Sequence, residues 1–282
     1  MRSMLFVPGD SPRKFDKARQ GHADALILDL EDSVVADKKA EARTLTRAML
    51  EGARGSHEIY VRVNAFDTGL TLSDLAAVMP ARPHGIVLPK SRGGDDVRQL
   101  ALWLEAFEAA ASIAVGSTRI VVVATETAES MFGLGSYRGA SPRLAGLMWG
   151  AEDLAASLGA TENASGGVFH SPYRLARDLC LAAAAAAEVA AIDTVYTDLD
   201  NLTGLEAEAR AARRDGFSGK ALIHPKHVDV VNAAFEPSAA EREWASKVIA
   251  AFKDNPNAGT LRLDGKMIDR PHLRAARKIL GL

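Results

Sequence analysis

The stretch RIVVVATE, residues 119–126, is an apolar and mostly β-branched run that ends in a carboxylic acid. Near-continuous apolar residues predict a strand that is buried on both faces, as in a parallel sheet. A strand with one solvent-exposed face would instead alternate between apolar and polar residues. Similar short runs occur before and after it. We predict strands over residues 4–8, 25–31, 58–64, 85–89, 119–126, 144–150, 193–197 and 219–224.

Amphipathic stretches between these runs predict helices over residues 12–20, 36–52, 95–111, 172–191 and 206–215. Strands that alternate with helices form either a (β/α)₈ barrel or a doubly wound open sheet. The number of strands favours the α/β barrel, and no glycine-rich nucleotide-binding motif follows the first strand. We therefore expect a (β/α)₈ TIM barrel over residues 1–230. A C-terminal helical extension over 231–282, with helices over 238–253 and from Pro271, would pack on the barrel or on a neighbouring subunit.

The composition narrows the classes of partner. The chain has 282 residues and a formal net charge of −2, which does not suggest the basic face that a nucleic-acid partner needs. An anionic substrate must then be met by a few local Arg or Lys side chains. Cys180, the single cysteine, lies in an alanine-rich stretch and is interpreted as a core residue. No apolar run has the length of a signal peptide or a membrane span, so we expect a cytoplasmic protein.

Ionisable residues gather where the predicted strands end, which is the edge of a barrel that carries catalytic groups. Arg62 lies within an otherwise apolar strand, where an unpaired charge is costly. It therefore needs a carboxylate partner or an anionic ligand. Asp29 and Glu31 of the neighbouring strand could supply that partner in a purely structural role.

Glu126 and Asp153 are the best candidates for metal ligands, because both are hard oxygen donors at the ends of adjacent strands. Two carboxylates, with water and substrate oxygens, suit Mg²⁺. A structural pair between a glutamate and an arginine is the alternative. Arg13 and Lys14 follow a glycine turn at a helix start, where backbone N–H groups attract anions. They either hold a phosphate or are ordinary solvated cations.

Several motifs occur together in one order along nearly the whole chain. They are LFVPGDSPRKFDKA, LILDLEDSV, YVRVN, GIVLPK, ETAESMFGL, WGAEDL, SGKALIHP and DGKMIDRP. Together they resemble the citrate lyase beta subunit and malyl-CoA lyase family of the HpcH/HpaI aldolase group. The resemblance implies a (β/α)₈ barrel, a divalent metal, and a homotrimer or larger assembly such as a hexamer.

Residue by residue, the resemblance implies roles at the strand ends. Glu126 and Asp153 resemble the Mg²⁺ ligands, and Arg62 resembles the cation that steadies the carbonyl oxygen or carboxylate of the substrate. The resemblance also implies that three acids surround the metal-bound water and Arg62, namely Asp29, Glu31 and Asp32. Asp269 resembles a tail aspartate that a neighbouring subunit supplies as the acid/base at the methyl carbon of the thioester.

Arg13 and Lys14, with Lys90, resemble contacts to the phosphates of coenzyme A. The chain departs from the family pattern at Glu129 and Ser130, where a glycine usually follows ETA, and in the segment GATENASGGVFHSPY. Both departures lie near the rim, so the acid substrate could differ from citrate or malate.

The expected function is Mg²⁺-dependent carbon–carbon cleavage or condensation, in which a short 3-hydroxyacyl-CoA thioester yields an acyl-CoA and a 2-oxo acid. One alternative is a CoA-free aldolase that acts on 2-oxo acids with Mg²⁺. Another is a non-autonomous subunit that binds acyl-CoA or an acyl-carrier protein. Hydrolysis of the thioester as a side reaction also stays open.

Overall fold

Eight parallel strands close into a barrel in the computed structural model, which describes residues 1–53 and 57–282. Each strand pairs with its neighbours in chain order, and the first strand pairs with the eighth. The strands are β1 (Ser3–Pro8), β2 (Ala25–Asp29), β3 (Glu58–Arg62), β4 (Gly85–Leu88), β5 (Arg119–Val123), β6 (Leu144–Met148), β7 (Ala190–Asp193) and β8 (Gly219–Leu222). The predicted (β/α)₈ barrel is confirmed.

Helices follow the strands and pack against their outer faces in one large apolar cluster. The helices of this part of the chain are α1 (Pro12–Ala18), α2 (Lys39–Gly52), α3 (Thr71–Val78), α4 (Gly94–Ala110), α5 (Ser130–Gly133), α6 (Glu152–Leu158), α7 (Ser171–Ala186), α8 (Leu202–Asp215) and α9 (Val228–Phe235). A second, smaller cluster fills the barrel and includes Met4, Ile27, Tyr60, Val121 and Ile192. Buried side chains thus cover both faces of the strands, which explains their unbroken apolar runs.

The prediction for the seventh strand is wrong in position. The sequence suggested a helix over 172–191 and a strand over 193–197, but α7 ends at Ala186 and β7 spans Ala190–Asp193. Glu188 adopts a positive φ of 58° between them, which terminates the helical path. The alanines at 190 and 191 have little strand propensity of their own, and they form a strand because they pair with Gly146 and Leu147 of β6.

The remaining differences concern element ends and short helices. Most strands stop two or three residues before the predicted end, so Glu31, Asn64 and Glu126 belong to the loops that follow β2, β3 and β5. The helices α3, α5, α6 and α9 were not predicted. α8 begins at Leu202 because the side chain of Asn201 caps it by accepting a hydrogen bond from the Gly204 N–H.

The chain divides into two compact units, Met1–Phe235 and Glu236–Leu282. The second unit contains α10 (Ala239–Asp254), an antiparallel hairpin (Thr260–Leu263 and Lys266–Asp269) and α11 (Arg270–Leu280). It has its own small apolar core, which includes Val248, Phe252, Ile268 and Leu273. The expected C-terminal helical extension is therefore present, while the sequence-based domain boundary at residue 230 stays a prediction.

Candidate active site

A cavity of about 450 Å³ lies at the carboxyl ends of the barrel strands. Its lining combines apolar side chains from several strands with a few ionisable groups. The apolar part includes Phe6, Val123, Met148, Trp149, Val195 and Ile223, and the polar part includes Asp29, Asp32, Arg62, Glu126, Glu152 and Asp153. Apolar walls with few charged groups are typical of a small-molecule site.

Arg62 is held on one side by Asp29. The two residues are direct neighbours across β2 and β3. Nε donates to Oδ1 of Asp29 at 2.7 Å, and Nη2 donates to Oδ2 at 2.8 Å. Burial alone disfavours a charge on Asp29, but the Arg62 guanidinium and hydrogen bonds from Ser33 outweigh it and lower the pKa of that carboxyl. This bidentate pair fixes the plane of the guanidinium.

Two further contacts complete the surroundings of Arg62. Nη1 lies 3.0 Å from Oε2 of Glu31, and the ring centroid of Phe6 lies 4.9 Å from the guanidinium carbon. Asp32 is more distant, at 3.6 Å from Nη1, and its side chain is half exposed. The predicted carboxylate partner of Arg62 is thus Asp29 with help from Glu31, and Arg62 still lines the open cavity.

Lys90 connects several of the acids. Its ammonium lies 2.6 Å from Oε1 of Glu31 and 3.8 Å from Oδ2 of Asp153, while its backbone N–H donates to Oε2 of Glu126 at 2.6 Å. Burial opposes the ammonium charge, but Glu31 and the other nearby carboxylates raise the pKa of Lys90. The side chain suggested as a phosphate contact is therefore engaged by the acids of the rim.

Glu126 is nearly inaccessible to solvent, with 5% of its surface exposed. Burial and the nearby carboxylates of Glu31 and Asp153 raise its pKa to about 8, against the opposing effects of the Lys90 N–H and Arg62. Gly150 makes room for it, because a Cβ at that position would lie 3.0 Å from Cγ of Glu126. Burial also raises the pKa of Glu31. Its Oε2 forms the ion pair with Arg62 but accepts no hydrogen bond of good geometry from the residues that the structure describes.

The carboxylate cluster consists of Asp29, Glu31, Asp32, Glu126 and Asp153. It contains more acids than Arg62 and Lys90 can neutralise, so the site favours an additional cation. Hard carboxylate oxygens and room for water suit Mg²⁺. Within the described ranges no group of three or more His, Cys, Asp or Glu side chains is arranged around a metal position. An ion here would therefore draw further ligands from water and substrate.

Three further side chains around the site, Lys39, Trp149 and Phe6, were not predicted. Lys39, the first residue of α2, donates its ammonium to the backbone carbonyls of Leu30 and Glu31 at 2.7 and 2.6 Å. Trp149 forms a cavity wall, and its Nε1 donates to the buried Asp193 at 2.6 Å. Period-two alternation places Phe6 on the same face of β1 as Met4 and could have identified it. Nothing local identifies Lys39.

Five of the predicted site residues do not line the cavity. Glu31 and Lys90 lie beside it and contact its acids, and three others do not belong to the carboxylate cluster. Arg13 and Lys14 are exposed in the first turn of α1. Asp269 belongs to the second unit, where it caps α11: its Oδ1 accepts from the backbone N–H of His272 and contacts the His272 ring. The hydrogen bond with His272 lowers the pKa of Asp269, which favours the carboxylate form.

The fold and the rim together define an α/β-barrel protein with an acidic, cation-favouring site. The family model described as HpcH/HpaI aldolase/citrate lyase matches residues 2–225. The chain belongs to this family, and the resemblance noted from its motifs is confirmed.

Curated relatives carry more than one activity. A (3S)-malyl-CoA thioesterase of Cereibacter sphaeroides (strain KD131) is 38% identical, over 99% of this chain and 93% of the relative. The citrate lyase subunit beta of Leuconostoc mesenteroides subsp. cremoris is 32% identical, over 100% and 92% of the two chains.

A solved structure extends the similarity to the fold of the full chain. The CitE protein of Mycobacterium tuberculosis, in complex with magnesium, acetoacetate and coenzyme A, matches with a TM-score of 0.82 and 33% identity. The match covers 99% of this chain and 97% of that one. Among the described residues, no helix is both long and apolar enough to cross a membrane.

Proposed function

We propose that this chain is a Mg²⁺-dependent carbon–carbon lyase that splits a short 3-hydroxyacyl-CoA thioester into an acyl-CoA and a 2-oxo acid. The supporting observation is the arrangement of Arg62, which is fixed by Asp29 while it lines the same cavity as Glu126 and Asp153. A relative solved with magnesium and coenzyme A supports the choice of cofactor and substrate class.

The proposed cleavage breaks the C2–C3 bond of the substrate. The 3-hydroxyl gives its proton to a water molecule, C3 becomes a carbonyl, and the bonding electron pair moves to C2 as a thioester enolate. The enolate carbon must then be protonated. When bound, Mg²⁺ held by Glu126 and Asp153 supplies Lewis-acid polarisation of substrate oxygens. Arg62 supplies a fixed positive charge to the oxygen on which negative charge develops.

Asp269 is the proposed proton carrier at C2. In the carboxylate form that His272 favours, it can remove a proton from the acyl methyl group in the condensation direction. Cleavage uses the same group after protonation. Arg13 and Lys14, which are exposed cations in the first turn of α1, are proposed to contact the phosphates of coenzyme A.

The test is a product assay on the purified chain with short 3-hydroxyacyl-CoA thioesters, with Mg²⁺ and with a chelator. We expect acyl-CoA and 2-oxo acid in equal amounts, and only with the metal. Glu126→Ala should lower turnover by about 10²-fold or more, because it removes a ligand of a metal on which catalysis depends. Glu105→Ala, which removes an exposed acid of α4, is the matched control and should turn over like the parent chain.

A thioesterase is the second candidate, and the 38% identical relative is the observation that favours it. Hydrolysis breaks the C–S bond, consumes water and yields the free thiol of coenzyme A with a hydroxy acid. Release of the thiol without formation of a 2-oxo acid would show that the chain is a hydrolase and would contradict the lyase proposal. Equal activity with metal and with chelator would remove the Mg²⁺ site from the proposal.

A further inference from the structure

Lys90 has an unusual backbone at the carboxyl end of β4. Its φ is 51°, in the left-handed region that residues with a Cβ seldom adopt. In this conformation Lys90 binds two acids at once. Its backbone N–H donates to Glu126 and its ammonium donates to Glu31, both at 2.6 Å. The strained backbone is thus retained where it joins two parts of the carboxylate cluster.

The ammonium of Lys90 lies among acids that the proposed metal would need. Besides Glu31, it is 3.8 Å from Oδ2 of Asp153 and 3.9 Å from Oδ1 of Asp32. Its side chain is 27% exposed, so water screens these attractions only in part. A cation therefore already stands within reach of Asp153, one of the two proposed ligands.

We propose that the Lys90 ammonium is a placeholder cation, which holds these acids together when Mg²⁺ is not bound and competes with Mg²⁺ for Asp153. This inference rests on the function proposed above. A divalent ion carries twice the charge and can displace the contact, but it must approach a fixed positive group. The affinity for Mg²⁺ is therefore set below the value that the carboxylates alone would give.

A purely structural role predicts the opposite effect. If Lys90 only ordered Glu31 and the loop that follows β2, its loss would loosen the cluster and weaken metal binding. The sign of the change in Mg²⁺ affinity separates the two roles. Lys90→Met removes the charge, and Lys90→Arg keeps it. Methionine and arginine both carry a Cβ, so the backbone strain at this position is the same in all three proteins.

The experiment is calorimetric titration of substrate-free protein with MgCl₂, after thermal unfolding has shown that each variant is folded. We expect Lys90→Met to bind Mg²⁺ about tenfold more tightly than the parent chain, because a nearby repulsive charge is gone. Lys90→Arg should bind within about threefold of the parent, because the charge that competes with the metal is retained.

Three results would overturn the inference. Unchanged or weaker binding by Lys90→Met would assign the residue a structural role, and equal tightening in both variants would show that charge is not the cause. In either case the proposed function stands, provided that the parent chain binds Mg²⁺ and Glu126→Ala does not. Failure of the parent chain to bind Mg²⁺ would remove both the proposed metal site and the inference.

Discussion

Arg62 shows how one residue depends on its neighbours in register. A charged side chain within an apolar strand is tolerated because Asp29 faces it across β2 and β3 and accepts two hydrogen bonds. The face of Phe6 adds a favourable contact with the guanidinium. Burial disfavours charge on Arg62, yet Asp29 raises its pKa, so the side chain carries a positive charge at every working pH.

Arg62→Lys is a sharp test of this geometry, because lysine keeps the charge but cannot bind both oxygens of Asp29 in one plane. We expect turnover to fall by about 10²-fold, in the range found when a transition-state donor is displaced. The free energy of unfolding should fall by only about 1–3 kcal/mol. Steady-state kinetics and denaturant unfolding measure the two effects. Near-normal turnover in a folded variant would exclude a catalytic role for the guanidinium.

The sequence predicts part of the environment of Arg62. An isolated arginine in an apolar strand needs a charge partner, and the sequence indicates Asp29 and Glu31 as the candidates. The sequence does not decide which of the two binds Arg62 more directly, because that depends on which carboxylate the barrel twist brings to the guanidinium. The same holds for Lys90, whose motif suggested a phosphate contact while its ammonium lies among the carboxylates.

At the scale of elements, α4 is tied to the start of β6 by a buried ion pair. Arg143 donates to both oxygens of Glu108 at 2.8 and 2.7 Å, and the backbone N–H groups of Gly116 and Thr118 donate to the same carboxylate. Burial alone would raise the pKa of Glu108, but these donors lower it to about 2. Arg143 lies one residue before β6, so the ion pair joins that end of the strand to α4.

This pair predicts a definite pH dependence of stability. The folded pKa of Glu108 lies below its ordinary value of 4.5, so its contribution is complete above that pH and is lost as pH falls towards about 2. Glu108→Gln should lower the free energy of unfolding by about 3 kcal/mol at neutral pH, since it leaves Arg143 buried without its charge partner.

Denaturant unfolding at several pH values measures the effect. The difference between the parent chain and Glu108→Gln should shrink steadily between pH 4.5 and about pH 2. A difference that stays constant over this range would mean that the carboxylate charge is not what stabilises the contact. Glu105→Gln, on an exposed face of the same helix, should change stability by less than about 0.5 kcal/mol at any pH.

At the scale of the whole molecule, the proposed chemistry is divided between two units. Arg62 and Glu126 belong to Met1–Phe235, and Asp269 belongs to Glu236–Leu282. The family resemblance implies that the tail of one subunit serves the barrel of another. We therefore propose a homo-oligomer, in which each complete site combines residues of two chains.

Mixing two inactive variants tests this arrangement. Glu126→Ala and Asp269→Asn should each be inactive alone, because the first lacks a metal ligand and the second a proton carrier. After subunit exchange at equal ratio, about a quarter of the sites should combine an intact barrel with an intact tail, so that fraction of activity returns. Exchange is followed with two affinity tags. Exchange without recovered activity would place both residues of a site in one chain.

The barrel itself follows from local information. Burial on both faces of a strand requires an apolar residue at nearly every position, so the strands can be read from short stretches of sequence. The same is true of the amphipathic stretches between them and of the carboxylates at their ends. They determined the fold, the rim and the identity of most rim acids.

Only the tertiary structure decided which of these groups touch. The end of α7 depends on the positive φ of Glu188 and on pairing of β7 with β6 and β8, which no local pattern records. The position of the Lys90 ammonium beside Glu31 and Asp153 likewise depends on segments that follow three different strands. Contacts between distant segments are set by barrel closure and register, so a linear pattern names the participants without stating their partners.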